Sequence, residues 1–564
     1  LYNLIASEGI PRGIDVGAVS DPNLGFCRFC GVKISAKYGS PPWVVNAISR
    51  PWKIQCPDCK RLFPSNDFKS FYELGLNEYR EFERSRALAR HHALIHHGDA
   101  YAVCDCTPPA DEWTNEWYSY YGYGDENGYL YNALYKNVDL SKVDTLNANL
   151  RLRPGETQET WGVDDGYGYV PRKEDGTAYQ AGSREERHTY IAEYLHYGIW
   201  RGGAVVNAIR YCSDAYFYTG NIKYGRVAAI LLDRTADFYR DFDRSRWGNW
   251  VNNSDGGSGL GKILGNIWEG TNMKTFFAAY DKVFECYDDP FVVEYLSKKS
   301  KEIKMNYAKN TPSQIRTNIE DGILRGALEA LPGCFISGNF GYPQSANAMA
   351  AVVLDTMPDT KYWLDYLMAP GWSRSAPSLG GGINAQLVND VDADGQGNEG
   401  SKYNIDWHTT LIGIQEYLNG YDAYVAANLY NNPKFVKMFY SNIPLVTGNH
   451  SANIGDTFTT MSKDQWYNKN QLVMAVKYFD DPRFAQLLYL VNGKTSEGLR
   501  YDIYERDPER LADEVQAIID RLGEISLDSE VMTNFGYAIL RDGNNYSDSL
   551  TPTAKDTTRN VWMY

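Results

Sequence analysis

The stretch DAYFYTGNIKYGRVAAILLDRTADFY, Asp214–Tyr239, decides the fold class. Its centre is the turn Thr219-Gly220-Asn221. Glycine can take the left-handed conformation that stops a helix, and asparagine can cap the next one. Apolar residues recur at helical spacing on both sides. The upstream helix is expected from about Arg184 to Tyr218, broken near Gly202, and the downstream one from about Lys223 to Phe242. Outward from this hairpin the same pattern returns near 258–286, 291–309, 312–331, 343–356, 408–429, 464–479 and 509–522, and upstream over 76–102. Serial antiparallel helix pairs joined by turns predict a mainly α chain, an α/α toroid or solenoid rather than a compact bundle. Residues 107–182 are rich in Tyr, Trp and Gly with little periodicity and read as long loops.

The pattern changes near residue 526. VMTNFGYAILRDGNN, Val531–Asn545, alternates in strand fashion and ends in an Asp-Gly turn; RNVWMY, Arg559–Tyr564, opens another strand. A sequence ending within an apolar strand is expected to belong to a β domain that continues past Tyr564 or is supplied separately. The expected organisation is an N-terminal segment over 1–75, a helical domain over 76–525 and the first β strands over 526–564.

Near the start, FCRFCG and QCPDCKRLFPSNDF place Cys27, Cys30, Cys56 and Cys59 in two CxxC knuckles. Paired knuckles can set four thiolates tetrahedrally around one Zn²⁺, and four protein ligands leave no open position. The expected metal is therefore structural, in a zinc-ribbon-like segment; paired disulfides or a redox CxxC are the alternatives. Cys104, Cys106, Cys212, Cys286 and Cys334 show no ligand spacing and read as buried thiols.

With 564 residues the chain exceeds one ordinary core. No apolar run is long enough for a membrane span. A net charge of −15 argues against duplex nucleic acid as the main partner. It leaves room for an acidic ligand in a local amide-rich or basic cleft. The 44 tyrosines and 14 tryptophans suit either helix packing or a sugar-binding cleft. Oligomeric state is open.

Three stretches carry candidate chemistry. In SGNFGYPQ, Ser337–Gln344, two glycines bracket Asn339 ahead of an Ala-rich helix. Such a loop would present the Asn339 and Gln344 amides at a helix N-terminus, where a carboxylate is favoured; a helix-capping Asn is the plainer reading. The second stretch, DADGQGNEGSKYNIDWHTT (Asp392–Thr410), leads from a Gly-rich loop into a helix with Tyr403, Asn404, Trp407 and His408. Tyr and His are a usual proton-transfer pair. The two lie five apart and diverge if both are helical; His408 reads alternatively as a packed histidine. Asp390, Asp392, Asp394 and Glu399 only partly match a calcium loop. In the third stretch, Glu186–Gly203, His188, Tyr190, His196, Trp200 and Arg201 are candidate cleft residues, and the four-residue spacing of His196 and Trp200 predicts a shared helix face. The histidines His91, His92, His96 and His97 read as a solvated helix end.

These segments, in order, resemble the bacterial heparinase II/III-like polysaccharide lyases. The resemblance is carried by CPDCKRLFPSNDF, WGVDDGYGY (Trp161–Tyr169), IAEYLHYGIW, the Asp214–Tyr239 hairpin, SGNFGYPQ, NEGSKYN, NIGDT (Asn453–Thr457) and GYAILRDG…RNVWMY. It implies an α/α toroid followed by an antiparallel β-sandwich, here incomplete, and β-elimination on a uronic-acid polysaccharide such as a glycosaminoglycan or alginate. It also implies a secreted or periplasmic setting. Asn339, helped by Gln344, would neutralise the carboxylate, and Tyr403 would act as acid and also as base, with an assisting histidine. Related motifs read GNFGMHQ, whereas this chain has Tyr342-Pro343-Gln344. The base is then His408, His188 or His196, in that order, or Tyr342 with Tyr403. Tyr342, Gln344, His196, Trp200, Arg201, Trp407 and Asn404 would bind substrate. A second divalent metal is expected in the β-sandwich beyond Tyr564. The competing classes are a glycoside hydrolase, using carboxylates such as Asp164, Asp165, Glu399 and Asp406, and a non-catalytic glycan-binding protein.

Overall fold

The computed structural model describes Tyr2, Cys27, Cys30 and residues 33–39, 42–64, 67–78, 82–103, 190–240, 242, 262–263, 266–333, 336, 340–371, 381–397, 401–424, 428–447, 450–451, 454, 467–502, 505–542 and 559–563. The expected loops at 107–182, and His188, Asn339, Glu399, Asp164 and Asp165, lie outside the described residues. The chain divides into two compact units: Leu1–Asn339 with Val353–Asp355 and Arg374–Pro377, and Phe340–Val352 with Thr356–Ser373 and Ser378–Tyr564. The division falls at 339/340, inside the range expected to be one helical domain.

The first unit opens with a small ribbon. After α1 (Lys33–Tyr38), strands β1 (Val44–Val45), β2 (Ile54–Gln55) and β3 (Leu62–Phe63) pair antiparallel, with Ile54 opposite Val45 and Phe63. Helices α2 (Phe68–Gly75) and α3 (Arg84–His97) follow. Trp52 joins the ribbon to the helices: its ring lies 4.5 Å from Tyr72 and 5.4 Å from Tyr194.

The hairpin read from the sequence is present. α4 (Ala204–Thr219) ends at Gly220 in the left-handed conformation, and the Asn221 side chain accepts from the Lys223 N–H to start α5 (Ile222–Tyr239). The expected break falls at Gly202, with φ +63°. Upstream, Tyr190–Glu193 is α-helical but Tyr194–Trp200 is a π-helix. Its bonds run from residue i to i+5.

Helices α6 (Asn266–Lys282), α7 (Pro290–Glu302) and α8 (Pro312–Ile319) complete this unit, α8 running on through a π turn at Glu320–Arg325 to Ala330. Asp289 and Thr311 cap α7 and α8, each followed by proline at the first helical position, where the missing N–H is harmless. On α5, Asp233 and Asp237 are fully buried. Lys309 lies 2.5 Å from both, Arg234 is 2.9 Å from Asp237, and the Asn318 amide donates to both carboxylates.

The second unit is also mainly helical: α9 (Tyr342–Leu354), α10 (Asp359–Met368), α11 (Ile383–Asn389), α12 (Ser401–Asn419), α13 (Pro433–Tyr440), α14 (Lys469–Tyr478), α15 (Pro482–Val491) and α16 (Arg510–Leu522). A two-stranded pair, β4 (Val446–Thr447) with β5 (His450–Ser451), precedes α14. The strand-like C-terminal segment forms an antiparallel sheet in the order β6-β7-β8, from Glu530–Met532, Tyr537–Asp542 and Arg559–Met563. Met532, Tyr537 and Ile539 pack with Leu445 and Ile454 as its core. No helix among the described residues is long and apolar enough to cross a membrane.

Candidate functional site

Two local arrangements carry chemistry. The first is the cysteine group. The four sulfurs of Cys27, Cys30, Cys56 and Cys59 lie within 4.8 Å of one another. Cys27 and Cys59 are 3.6 Å apart, and Cys30 and Cys56 3.8 Å. Disulfides require about 2 Å. Tetrahedral ligation at a zinc–sulfur distance of about 2.3 Å requires sulfurs roughly 3.8 Å apart, so the four fit a metal ion. The second knuckle is formed by tight backbone bonds: Cys56 N–H donates to the Arg61 carbonyl and Lys60 N–H to that of Cys56, with Lys60 at φ +63°. Lys37 and Tyr38 of α1 donate to the Asp58 carboxylate at 2.9 and 3.1 Å, tying α1 to the knuckle. Hydrogen bonds with Cys27, Cys30 and Cys56 hold the Cys59 thiol well below the ordinary range, while those with Cys30, Cys56 and Cys59 push Cys27 up. A dication would displace the shared protons. Among the described residues no other His, Cys, Asp and Glu group meets this test.

The second arrangement seats the start of α9 on the first half of α12. Gly341 caps α9 at φ +99°, and an added Cβ there would meet Thr410 Oγ1 at 2.3 Å and Trp407 Cδ1 at 2.8 Å. The turn is therefore seated flush on α12. One turn later Ser345 meets Gly413 and hydrogen-bonds Tyr417. Contacts that advance together along both helices mean that α9 and α12 run parallel, with their N-termini at the same end. Tyr342 follows the Gly341 turn and Tyr403 lies one turn before Trp407 on α12, and both are half-buried. Burial pushes the Tyr342 hydroxyl pKa up, and the charges of Asp406 and Tyr403 add to the shift. Tyr403, Asp406, Trp407 and Thr410 follow one face of α12, and Phe340 packs edge-on to Trp407 at 5.6 Å.

Several expected site residues lie elsewhere. His408 is not at this site. Five helical residues rotate it about 140° from Tyr403, and it is fully buried between Phe435 and Phe439, with the Gln471 amide 2.6 Å from Nδ1. Burial pushes its pKa down to about 3, opposed by a hydrogen bond from the ring to the backbone of Phe435. A neutral, enclosed imidazole of this kind is a packing residue, the alternative reading of the sequence. Trp200 is likewise fully buried, so it offers no ring to a ligand. Asn404 is buried and donates to the Gly395 carbonyl at 3.1 Å, holding the loop ahead of α12.

Gln344 is buried too, with both ends of its amide committed. Its Oε1 accepts the Gly341 N–H at 2.8 Å and its Nε2 donates to the Gly381 carbonyl at 3.3 Å. The first of these is half of a capping box, a side chain at the third helical position reaching back to the capping residue. Arg201 is half-buried beside the Tyr197 ring, and the His196 side chain lies outside the described residues. The acidic loop also holds itself: Asp392 accepts the Asp394 and Gln396 N–H groups, and Asp394 accepts those of Asn534 and Phe535.

Asp406 is the member of the tyrosine site that proton-transfer reasoning passed over; its signal was the i, i+3 spacing from Tyr403. No family model matches the chain, and no curated protein matches its sequence.

Proposed function

We propose that the protein is a polysaccharide lyase that cleaves a uronic-acid-containing polymer, a glycosaminoglycan or alginate, by β-elimination. The observation that carries this reading is the seating of the Gly341 turn, which carries Tyr342, on the face of α12 that also bears Tyr403, Asp406 and Trp407. Elimination needs a base for the proton beside the uronate carboxylate and an acid for the departing glycosidic oxygen. As the proton leaves, a carbon–carbon double bond forms, the bond to the leaving oxygen breaks, and that oxygen takes a proton. Two phenols at one site can exchange these roles. The N-terminus of α9 favours the negative charge that develops on the carboxylate. Trp407 and Phe340 offer aromatic faces beside them.

In this reading Tyr403 transfers protons with Tyr342, and the resemblance supplies Asn339 to neutralise the carboxylate, His188 or His196 as the assisting histidine and Arg201 to bind the acidic polymer. Zn²⁺ at the four cysteines is structural. The α/α toroid, the β-sandwich with its second divalent metal, and a secreted or periplasmic location belong to the same reading.

The test is near-ultraviolet absorbance over time with a panel of uronate polymers. An unsaturated uronate gives a rise, abolished by Tyr403→Phe and strongly reduced by Tyr342→Phe. New reducing ends without absorbance would replace this reading with hydrolysis, in which Asp406 would be the first carboxylate to test. Saturable binding without turnover would favour a glycan-binding protein.

A further inference from the structure

The notable property of the tyrosine site is how it is held. Tyr342 immediately follows a residue that has no space for a side chain: Gly341 lies against Thr410 and Trp407 of α12 in a left-handed conformation. Its N–H is fixed by Gln344 Oε1, and Gln344 Nε2 is anchored in turn on the Gly381 carbonyl. The Gly341 carbonyl accepts the Ser345 N–H at 2.8 Å, the first bond of α9. The turn's amide, its carbonyl and its missing side chain are thus all committed to one position over α12.

We infer that Gly341 and Gln344 are positioning residues: together they set the Tyr342 hydroxyl against Tyr403 and Asp406, and the reaction depends on them although neither touches substrate. This rests on the lyase reading, and it gives Gln344 a different role from carboxylate binding. An added methyl at position 341 must displace the turn or Trp407, since backbone conformation and space both oppose it. A displacement of about 1 Å at a proton-transfer site costs on the order of 10²-fold in rate. Substrate still docks on the aromatic faces, so the loss falls on kcat more than on KM.

The test places fluorotyrosine at position 342 in the full chain and in the Gly341→Ala and Gln344→Met variants. Fluorine NMR then follows ionisation of that one phenol, alongside kcat and KM on an oligouronate and a melting curve. In the parent, Tyr342 ionises above free fluorotyrosine, because burial, Asp406 and Tyr403 all oppose the phenolate. The inference expects both variants to ionise closer to free fluorotyrosine, with kcat down on the order of 10²-fold, KM within a few-fold and the melting temperature near the parent's. If Gly341→Ala does not fold, Gln344→Met decides. Ionisation unchanged in a folded variant overturns the inference, whatever the activity. A parent that turns over no uronate defeats the lyase reading, while the titration still decides whether this turn positions Tyr342.

Discussion

Replacing His408 with leucine tests whether the ring belongs to the core. In the unfolded chain a histidine protonates near pH 6.5, whereas folded His408 protonates only near pH 3. Above about pH 6.5 the ring is neutral in both states and contributes no pH dependence. Between the two values the unfolded chain holds a proton that the folded chain refuses, so stability falls as pH falls. The window is about 3.5 pH units, and one unit corresponds to about 1.4 kcal/mol, so the full acid loss is on the order of 5 kcal/mol. Two units below pH 6.5 it is already about 3 kcal/mol.

His408→Leu removes this titration but deprives the Gln471 amide of its partner, a cost of about 1–3 kcal/mol at neutral pH. The variant should therefore be less stable than the parent at pH 7 and more stable in mild acid, the two curves crossing in between. Urea denaturation followed by tryptophan fluorescence across a pH series measures the difference. A parent-minus-variant difference that does not change with pH would refute the reasoning and return His408 to the candidate bases.

The cysteine group predicts about one equivalent of zinc per chain. Cys30→Ser should abolish it, lower the melting temperature and change the fluorescence of Trp52, which packs between the ribbon and Tyr72; full zinc content in the variant would contradict a four-cysteine site. In the buried charge group, Lys309→Met strands Asp233 and leaves Asp237 with Arg234 as its cation, and should cost about 3–5 kcal/mol in denaturant unfolding. Adding Asp233→Asn, whose carboxyl burial already pushes up to about 6, should recover part of that loss, and no recovery would argue against the pairing.

The helical character was legible where punctuation was strong. Thr219-Gly220-Asn221 and the long apolar periods gave α4 and α5 within a few residues. Six shorter helices fall outside the expected ranges: α1, α2, α10, α11, α13 and α15. Two of them carry a readable signal, since Asn432-Pro433 and Asp481-Pro482 are each a capping residue followed by a first-position proline. The start of α12 was placed too late because a Gly-rich loop runs directly into it, although Ser401 onward is helix.

Site residues divided along a physical line. The cysteines were legible because ligand spacing is a local property. The residues assigned to a cleft were not, because burial is set by partners distant in sequence. Asn404 answers to Gly395, Gln344 to Gly381, and His408 to Phe435, Phe439 and Gln471. Polar side chains on an amphipathic helix look alike until the facing elements are known. The π-helix at Tyr194–Trp200 carries no signature in the hydrophobic pattern, so the sequence reads this stretch as ordinary helix.

The central claim is elimination, and one measurement separates it from hydrolysis directly: the mass of the product made from a defined uronate oligosaccharide in heavy-oxygen water. Elimination predicts a non-reducing end lighter by one water than the hydrolysis product and carrying no solvent oxygen. A saturated product that has taken up one solvent oxygen would contradict the account.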